Sequence, residues 1–125
     1  MNAPANLKYA KSDEWFNPET GAVGISDYAQ SQLSDIVFVE ILVDEGETVE
    51  VGKPIASVES VKASAEIYAP ASGTISAVHK DLANKPETLN SDPYGEGWMI
   101  KVEGGTAGET MDATAYETYC QGRNQ

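Results

Sequence analysis

Short runs of hydrophobic and β-branched residues follow one another along most of this chain, with Gly, Pro, Asn or Asp between them. Residues 7–25 carry aromatic and β-branched residues on both sides of a turn signal at residues 17–21, which predicts a hairpin. From residue 44 onwards similar runs recur about every ten residues, as all-β sandwiches and barrels require. The pattern therefore predicts a mainly β domain.

Three further segments depart from this rhythm. Residues 36–43 are nearly all apolar and β-branched, which predicts a strand buried on both faces or close to it. Residues 84–97 are rich in turn formers and predict an ordered surface loop, and residues 104–108 predict a linker.

Two segments predict helices. Ser26 can cap the free amides of a short helix that continues to Leu33. A C-terminal helix is predicted at residues 108–121, with Thr110 or Asp112 as its cap. One face of this helix collects the side chains that should pack on the β structure, namely Met111, Ala115, Tyr116 and Tyr119.

The length of 125 residues suits one domain with its own core and is too short for two ordinary domains. We expect a single domain over residues 1–125, with a flexible N-terminus at residues 1–6 and a β core at residues 7–102. No apolar run approaches the roughly 18 residues that a membrane span needs, and the N-terminus has no targeting pattern. We therefore expect a cytoplasmic protein, or a processed protein of the mitochondrial matrix, with no membrane partner.

The charge changes the picture of partners. Twenty acidic residues against eight basic ones give a formal net charge of −12. Such a charge opposes binding to nucleic acid and to anionic membranes, and it favours a soluble monomer. It can also steer the chain towards basic docking surfaces on larger proteins, although a merely solvated acidic surface explains the charge equally well.

Candidate catalytic and metal-binding chemistry is sparse. One Cys, Cys120, and one His, His79, cannot supply an internal disulfide or a structural zinc site, and we interpret Cys120 as a buried or half-buried structural thiol. The sequence has no phosphate-binding glycine loop, zinc-binding His-Glu-x-x-His helix or nucleophile elbow. We expect a non-catalytic protein.

Lys62 lies between two β runs with small or β-branched neighbours, and this pattern places it at a hairpin tip. An amine at such a tip is accessible to an enzyme that acylates it. A rigid root would also raise the effective concentration of an attached arm near a docked partner. Geometry by itself nevertheless favours an ordinary surface lysine.

Six blocks of sequence bear on this choice. They are Lys11 to Trp15, Gly24 to Gln30, Asp35 to Glu40, Val58 to Ala63, Ala69 to Gly73 and Asn90 to Trp98. In content and order they resemble the glycine cleavage system H protein family of lipoyl carriers. The resemblance runs from about residue 7 to residue 102 and more loosely to residue 120.

The resemblance implies a barrel-sandwich hybrid fold of the lipoyl- and biotinyl-carrier type, with a short helix in the N-terminal half and a C-terminal helix. It implies that Lys62 carries covalent lipoic acid and that Glu59 and Gly73 are the positions a lipoyl ligase or transferase recognises.

The family's reaction cycle implies three further partners. A pyridoxal-phosphate glycine decarboxylase loads an aminomethyl group onto the lipoyl sulfur. An aminomethyltransferase passes its carbon to tetrahydrofolate and releases ammonia, and an FAD-dependent dihydrolipoyl dehydrogenase reoxidises the dithiol. The carrier itself makes and breaks no bonds.

Members of this family hold the loaded arm in a cleft that excludes water, where anionic groups bind its ammonium. The resemblance implies this role for Ser12, Glu14 and Glu66. Two residues depart from the family pattern. Asp13 replaces the usual His and should add negative charge at the cleft rim. Ser34 replaces the usual Gly after the short helix, so the sequence does not define the backbone conformation at that point. We expect neither to touch the turn at residue 62.

Other carriers on the same fold are the alternatives. Biotinyl carriers have Met on both sides of the modified Lys, whereas Val61 and Ala63 occupy these positions here. Lipoyl domains of 2-oxoacid dehydrogenases usually have Asp-Lys-Ala within longer chains. A lipoyl donor or relay carrier for lipoylation of other proteins also remains open, as does an unmodified adaptor with an acidic surface.

Overall fold

The computed structural model describes residues 3–123. Its strands are β1 (Lys8–Ala10), β2 (Glu14–Phe16), β3 (Ala22–Ile25), β4 (Ile36–Ile41), β5 (Thr48–Val49), β6 (Pro54–Ser60), β7 (Ser64–Tyr68), β8 (Ala71–Val78), β9 (Ile100–Ala107) and β10 (Thr110–Met111). Its helices are α1 (Asp27–Leu33), α2 (Thr88–Ser91) and α3 (Ala113–Arg123), and a 3₁₀ turn spans Lys80–Asn84.

The strands form two antiparallel sheets. One has seven strands in the order β10-β1-β2-β3-β9-β8-β5, and the other has three in the order β4-β6-β7. Both sheets contribute to one core, in which Val23 and Ile75 of the first meet Val39 and Val58 of the second. The predicted mainly β fold of the barrel-sandwich hybrid type, with a short helix and a C-terminal helix, is confirmed, and within residues 3–123 neither sheet closes into a barrel.

The short helix α1 begins as predicted. The Ser26 hydroxyl accepts a hydrogen bond from the Ala29 amide at 3.1 Å, and Asp27 lies in the first turn. This side-chain oxygen satisfies one of the free amides at the helix start. Ser26 is itself buried and also hydrogen-bonds the Tyr116 hydroxyl, so the cap ties α1 to the C-terminal helix.

Strand β4 is buried on one face only, so the prediction of a strand buried on both faces was wrong. Val39 is buried, whereas Phe38 is 46% exposed and Val37 is 55% exposed. β4 is an edge strand of the small sheet, and a bulge between Ile36 and Phe38 turns an additional apolar side chain outward.

The C-terminal helix begins at Ala113, five residues later than predicted. Residues 110–111 instead form β10, in which Met111 pairs with Tyr9 of β1. Asp112 then caps the helix, because its carboxylate accepts a hydrogen bond from the Ala115 amide at 2.8 Å. Pairing with β1 therefore places residues 110–111 in the sheet, and the helix begins only after them.

The two predicted irregular segments contain regular secondary structure. Residues 104–107 belong to β9, which pairs with β8 as far as Ala71 opposite Ala107, so the linker prediction was wrong for them. Within residues 84–97 the helix α2 places Leu89 in the core, where it is fully buried. This segment is therefore part of the packed structure and not only a surface loop.

The predicted flexible N-terminus begins with Met1 and Asn2, which lie outside the described residues. From Pro4 onwards the chain makes contacts, since the Pro4 carbonyl accepts hydrogen bonds from the Tyr9 hydroxyl at 2.6 Å and from the Leu7 amide at 3.4 Å. In the described range, no helix has the length and apolar character needed to cross a membrane.

Candidate functional site

Lys62 lies at the exposed tip of the β6–β7 hairpin, as the pattern predicted. The two strands pair up to Glu59 opposite Ser64, and the Ser60 amide donates a hydrogen bond to the Ala63 carbonyl at 2.7 Å to close the turn. Among the ion pairs of residues 3–123 none involves Lys62. The amine is therefore accessible on a closed turn.

Ser60 organises this turn through its side chain. Its hydroxyl oxygen accepts hydrogen bonds from the Lys62 amide at 3.2 Å and the Ala63 amide at 3.0 Å. These bonds fix the backbone at the root of the lysine side chain. Sequence reasoning did not single out Ser60, although a serine two residues before a turn residue is a recognised signal for side-chain bonds to the turn amides.

The turn is also tied to the segment between α1 and β4. The Val61 amide donates a hydrogen bond to the Asp35 carbonyl at 3.0 Å, while the Val61 side chain stays 69% exposed. Ser34, directly before Asp35, has φ 66° and ψ −151°, a conformation that is almost confined to glycine. The hydrogen bond to the turn is made by Asp35, the neighbour of Ser34, and not by Ser34 itself.

Glu59 and Gly73 lie in different sheets. Glu59 is the last residue of β6 that pairs with β7 before the turn, and its side chain is exposed. Gly73 lies in β8 opposite Val49, where an added Cβ would come within 2.4 Å of a methyl carbon of Val102. Packing against β9 therefore explains Gly73 without any partner, whereas Glu59 is presented directly to an approaching protein.

Ser12 and Glu14 form a hydrogen-bonded pair at the start of β2. Glu14 is 1% exposed; its Oε1 accepts from the Ser12 hydroxyl at 2.5 Å and its Oε2 from the Tyr68 amide at 3.1 Å. Burial raises the pKa of the Glu14 carboxyl to about 7, against the smaller lowering effect of these hydrogen bonds. The exposed Ser12 covers this buried acid.

Glu66 joins the site through strand β7. Ser64, Glu66 and Tyr68 alternate along one face of the strand, so they form a line that leads from the turn towards the Glu14 carboxylate. With Glu59 they line a shallow groove of about 410 Å³. Glu66 is exposed in this groove, roughly 7 Å along the strand from Ser64, where β7 begins after the turn, from a rise of about 3.3 Å per residue.

Asp13 does not add a free charge at the rim of the site. Its carboxylate accepts two hydrogen bonds from Arg123, at 2.6 and 2.9 Å, and one from the Tyr116 hydroxyl at 2.8 Å. The predicted effect was therefore wrong, because the C-terminal helix neutralises this residue. The backbone of Asp13 has φ 78°, a left-handed conformation that Asp tolerates better than most residues.

The remaining reactive side chains suggest no second site. Cys120 is buried, as predicted, and this burial raises the pKa of its thiol. Throughout residues 3–123 no group of three or more His, Cys, Asp or Glu side chains is arranged to hold a metal ion. The exposed lysine on its closed turn and the carboxylates along β7 and β2 are therefore the arrangement to explain.

Known proteins are similar to this sequence over nearly its whole length. A family model described as "Glycine cleavage H-protein" matches residues 7–123. The glycine cleavage system H protein of Deinococcus radiodurans is 50% identical over 114 residues, which cover 91% of this chain and 93% of the relative. That of Pseudoalteromonas atlantica is 48% identical over 122 residues, which cover 93% of this chain and 94% of the relative.

A solved structure shares the fold. The crystal structure of a glycine cleavage system H protein from Mycobacterium marinum matches with a TM-score of 0.84 and 33% sequence identity. The match covers 98% of this chain and 99% of that one.

Proposed function

Because this chain belongs to the glycine cleavage H-protein family, we propose that Lys62 carries lipoic acid as an amide on its Nζ atom. The protein is the lipoyl carrier of glycine cleavage, a carrier component that acts with the other components of that system. The observation that supports Lys62 as the attachment point is its exposed amine, which forms no ion pair with any described residue, on a turn closed by Ser60. The family match does not favour a dehydrogenase lipoyl domain.

The lipoyl group, when bound, would supply a disulfide that is reduced as it takes up the glycine-derived aminomethyl group and that is left as a dithiol once this cargo is released. The protein's own residues set where that group can go. The Ser60 hydroxyl fixes the root of the lysine, and the β6–β7 pairing holds the hairpin that presents it. A fixed root raises the effective concentration of the arm's end near the groove and near a docked partner.

Ser12, Glu14 and Glu66 are proposed to hold the ammonium of the cargo. Glu66 meets it first, since this carboxylate is exposed in the groove. Glu14 would hold it deeper in the protein through Oε1, the atom to which the Ser12 hydroxyl donates, and Ser12 would hold it through its hydroxyl oxygen. A cation beside Glu14 favours the charged carboxylate, so a bound ammonium would lower the raised pKa of Glu14 and favour loss of its proton.

The proposed partners follow from this role. They are the pyridoxal-phosphate glycine decarboxylase, the tetrahydrofolate-dependent aminomethyltransferase, the FAD-dependent dihydrolipoyl dehydrogenase and the lipoyl ligase or transferase that modifies Lys62. We propose Glu59 as a contact of that last enzyme, because its exposed carboxylate flanks the turn. For Gly73 we propose an indirect part, through the close packing of β8 on β9. The relatives from Deinococcus radiodurans and Pseudoalteromonas atlantica are bacterial proteins, which supports a cytoplasmic setting.

Intact mass and peptide mapping test the attachment site. Co-expression with a lipoyl ligase in the presence of lipoate should add one lipoyl amide, on Lys62, and Lys62→Arg should abolish it. Lys53→Arg is the matched control, because Lys53 is also exposed in a turn at one end of β6. Modification at another residue, or a Lys62→Arg protein that remains active in a reconstituted glycine cleavage assay, would overturn the proposal.

A further inference from the structure

Asn90 makes three hydrogen bonds around the segment that leads from α1 into β4. Its Oδ1 accepts from the Ile36 amide at 2.9 Å, and its Nδ2 donates to the Ser34 carbonyl at 2.8 Å. Nδ2 also donates to Gln30 Oε1 at 3.0 Å. Asn90 therefore binds the backbone on both sides of Asp35.

Asp35 is the residue whose carbonyl accepts the Val61 amide at 3.0 Å, directly before Lys62. Three steps thus connect Asn90 with the lysine: the amide side chain, the bracketed Asp35 peptide and the hydrogen bond to the turn. The route crosses from residue 90 to residue 61 through neighbouring hydrogen-bonded atoms.

The bracketed segment needs such support. Ser34 has φ 66° and ψ −151°, and a non-glycine residue keeps this conformation only where its surroundings fix it. Asn90 provides that fixation through the Ser34 carbonyl. Asn90 is itself held in place by α2, because its neighbour Leu89 in that helix is fully buried in the core.

We infer that Asn90 is a positioning residue for the Lys62 turn, which acts by fixing the Asp35 carbonyl that binds the Val61 amide. Its relevance to lipoylation rests on the proposed function, whereas its effect on the turn does not. Loss of Asn90 should leave the hairpin paired but free the turn to leave the conformation that a lipoyl ligase recognises.

Amide hydrogen exchange of the unmodified protein tests the effect on the turn. In Asn90→Ala we expect exchange at the Val61 amide to accelerate about tenfold or more, while the Val58 amide in the paired part of β6 keeps its rate. Asn90→Asp retains the acceptor for Ile36 but places an oxygen against the acceptor oxygens of Ser34 and Gln30, so it should also accelerate Val61, and it serves if the alanine variant fails to fold. Ile75→Val, a core change in the large sheet, is the control and should not accelerate Val61 selectively.

Steady-state lipoylation tests the consequence for modification. If the turn is competent only part of the time, its apparent affinity for the ligase falls by that fraction. Asn90→Ala should therefore raise the KM of the ligase for this protein several-fold and leave kcat unchanged, and Ile75→Val should alter neither. Unchanged exchange at Val61, or equal acceleration at Val58, would overturn the inference. If Lys62 of the parent protein is not lipoylated, the proposed function fails while the exchange comparison still decides the role of Asn90.

Discussion

The buried carboxylate of Glu14 makes the stability of this protein depend on pH in a specific way. Its two oxygens accept hydrogen bonds from Ser12 and from the Tyr68 amide, and its side chain is almost completely removed from water. Glu14→Gln keeps the shape and both contacts, because the new carbonyl can accept from Tyr68 and the new amide can donate to the Ser12 oxygen. The substitution therefore removes the charge and little else.

The sign follows from the direction of the shift. The folded protein holds the Glu14 proton up to a pKa of about 7, whereas an unfolded Glu loses it near the ordinary value of 4.5. Between these values the folded state binds more protons than the unfolded state, so the contribution of Glu14 to stability declines as pH rises from about 4.5 to about 7. Above that range, the pKa difference between the folded and unfolded states corresponds to about 3 kcal/mol of lost stability.

Urea unfolding at several pH values measures this contribution. Glu14→Gln should match the parent protein in free energy of unfolding near pH 4.5 and exceed it by up to about 3 kcal/mol at pH 8. Glu59→Gln removes an exposed carboxylate and should leave the pH dependence of the parent in place. A difference between Glu14→Gln and the parent that stays constant from pH 5 to pH 8, or that shrinks towards alkaline pH, would refute the reasoning.

Two further substitutions test the unusual backbone positions. Ser34→Gly should raise the free energy of unfolding by about 1 kcal/mol, because glycine removes the strain of φ 66° and its own entropic cost is smaller than that strain. Ser31→Gly, within α1, should lower the free energy of unfolding by about 1 kcal/mol. A lower melting temperature for Ser34→Gly would contradict this. Arg123→Ala should cost about 1–2 kcal/mol in low salt and less in 1 M salt, because it breaks the bidentate pair with Asp13; Lys85→Ala, at an exposed ion pair, should change stability little. Equal effects of the two in urea unfolding would contradict the assignment.

Local patterns were sufficient for features whose cause lies within a few residues. The cap at Ser26 follows from a hydroxyl next to the first free amides of a helix. The tip at Lys62 follows from two β runs that meet at a short turn, and the sequence blocks around it identified the family. These predictions hold because their determinants travel together in the sequence.

Features that depend on partners far away in the sequence were missed, because a local pattern does not contain those partners. The exposed face of β4 results from its place at a sheet edge, which the apolar run itself does not encode. The neutralisation of Asp13 requires Arg123, 110 residues away, and the late start of α3 requires the pairing of Met111 with Tyr9. The sequence alone identified Glu14 through family resemblance, but its burial depends on how the two sheets meet.

The hydrogen bond between Glu14 and Tyr68 joins the two halves of the proposed site. Lys62 is rooted in the three-stranded sheet, while Ser12 and Glu14 precede or belong to β2 of the seven-stranded sheet. Because Tyr68 ends β7, the same strand that starts beside the turn finishes on the carboxylate that is proposed to receive the cargo. The distance between the root of the arm and its cation site is therefore set by one strand and one hydrogen bond. Glu14→Gln preserves that distance, whereas Glu14→Ala would remove both the charge and the link between the sheets.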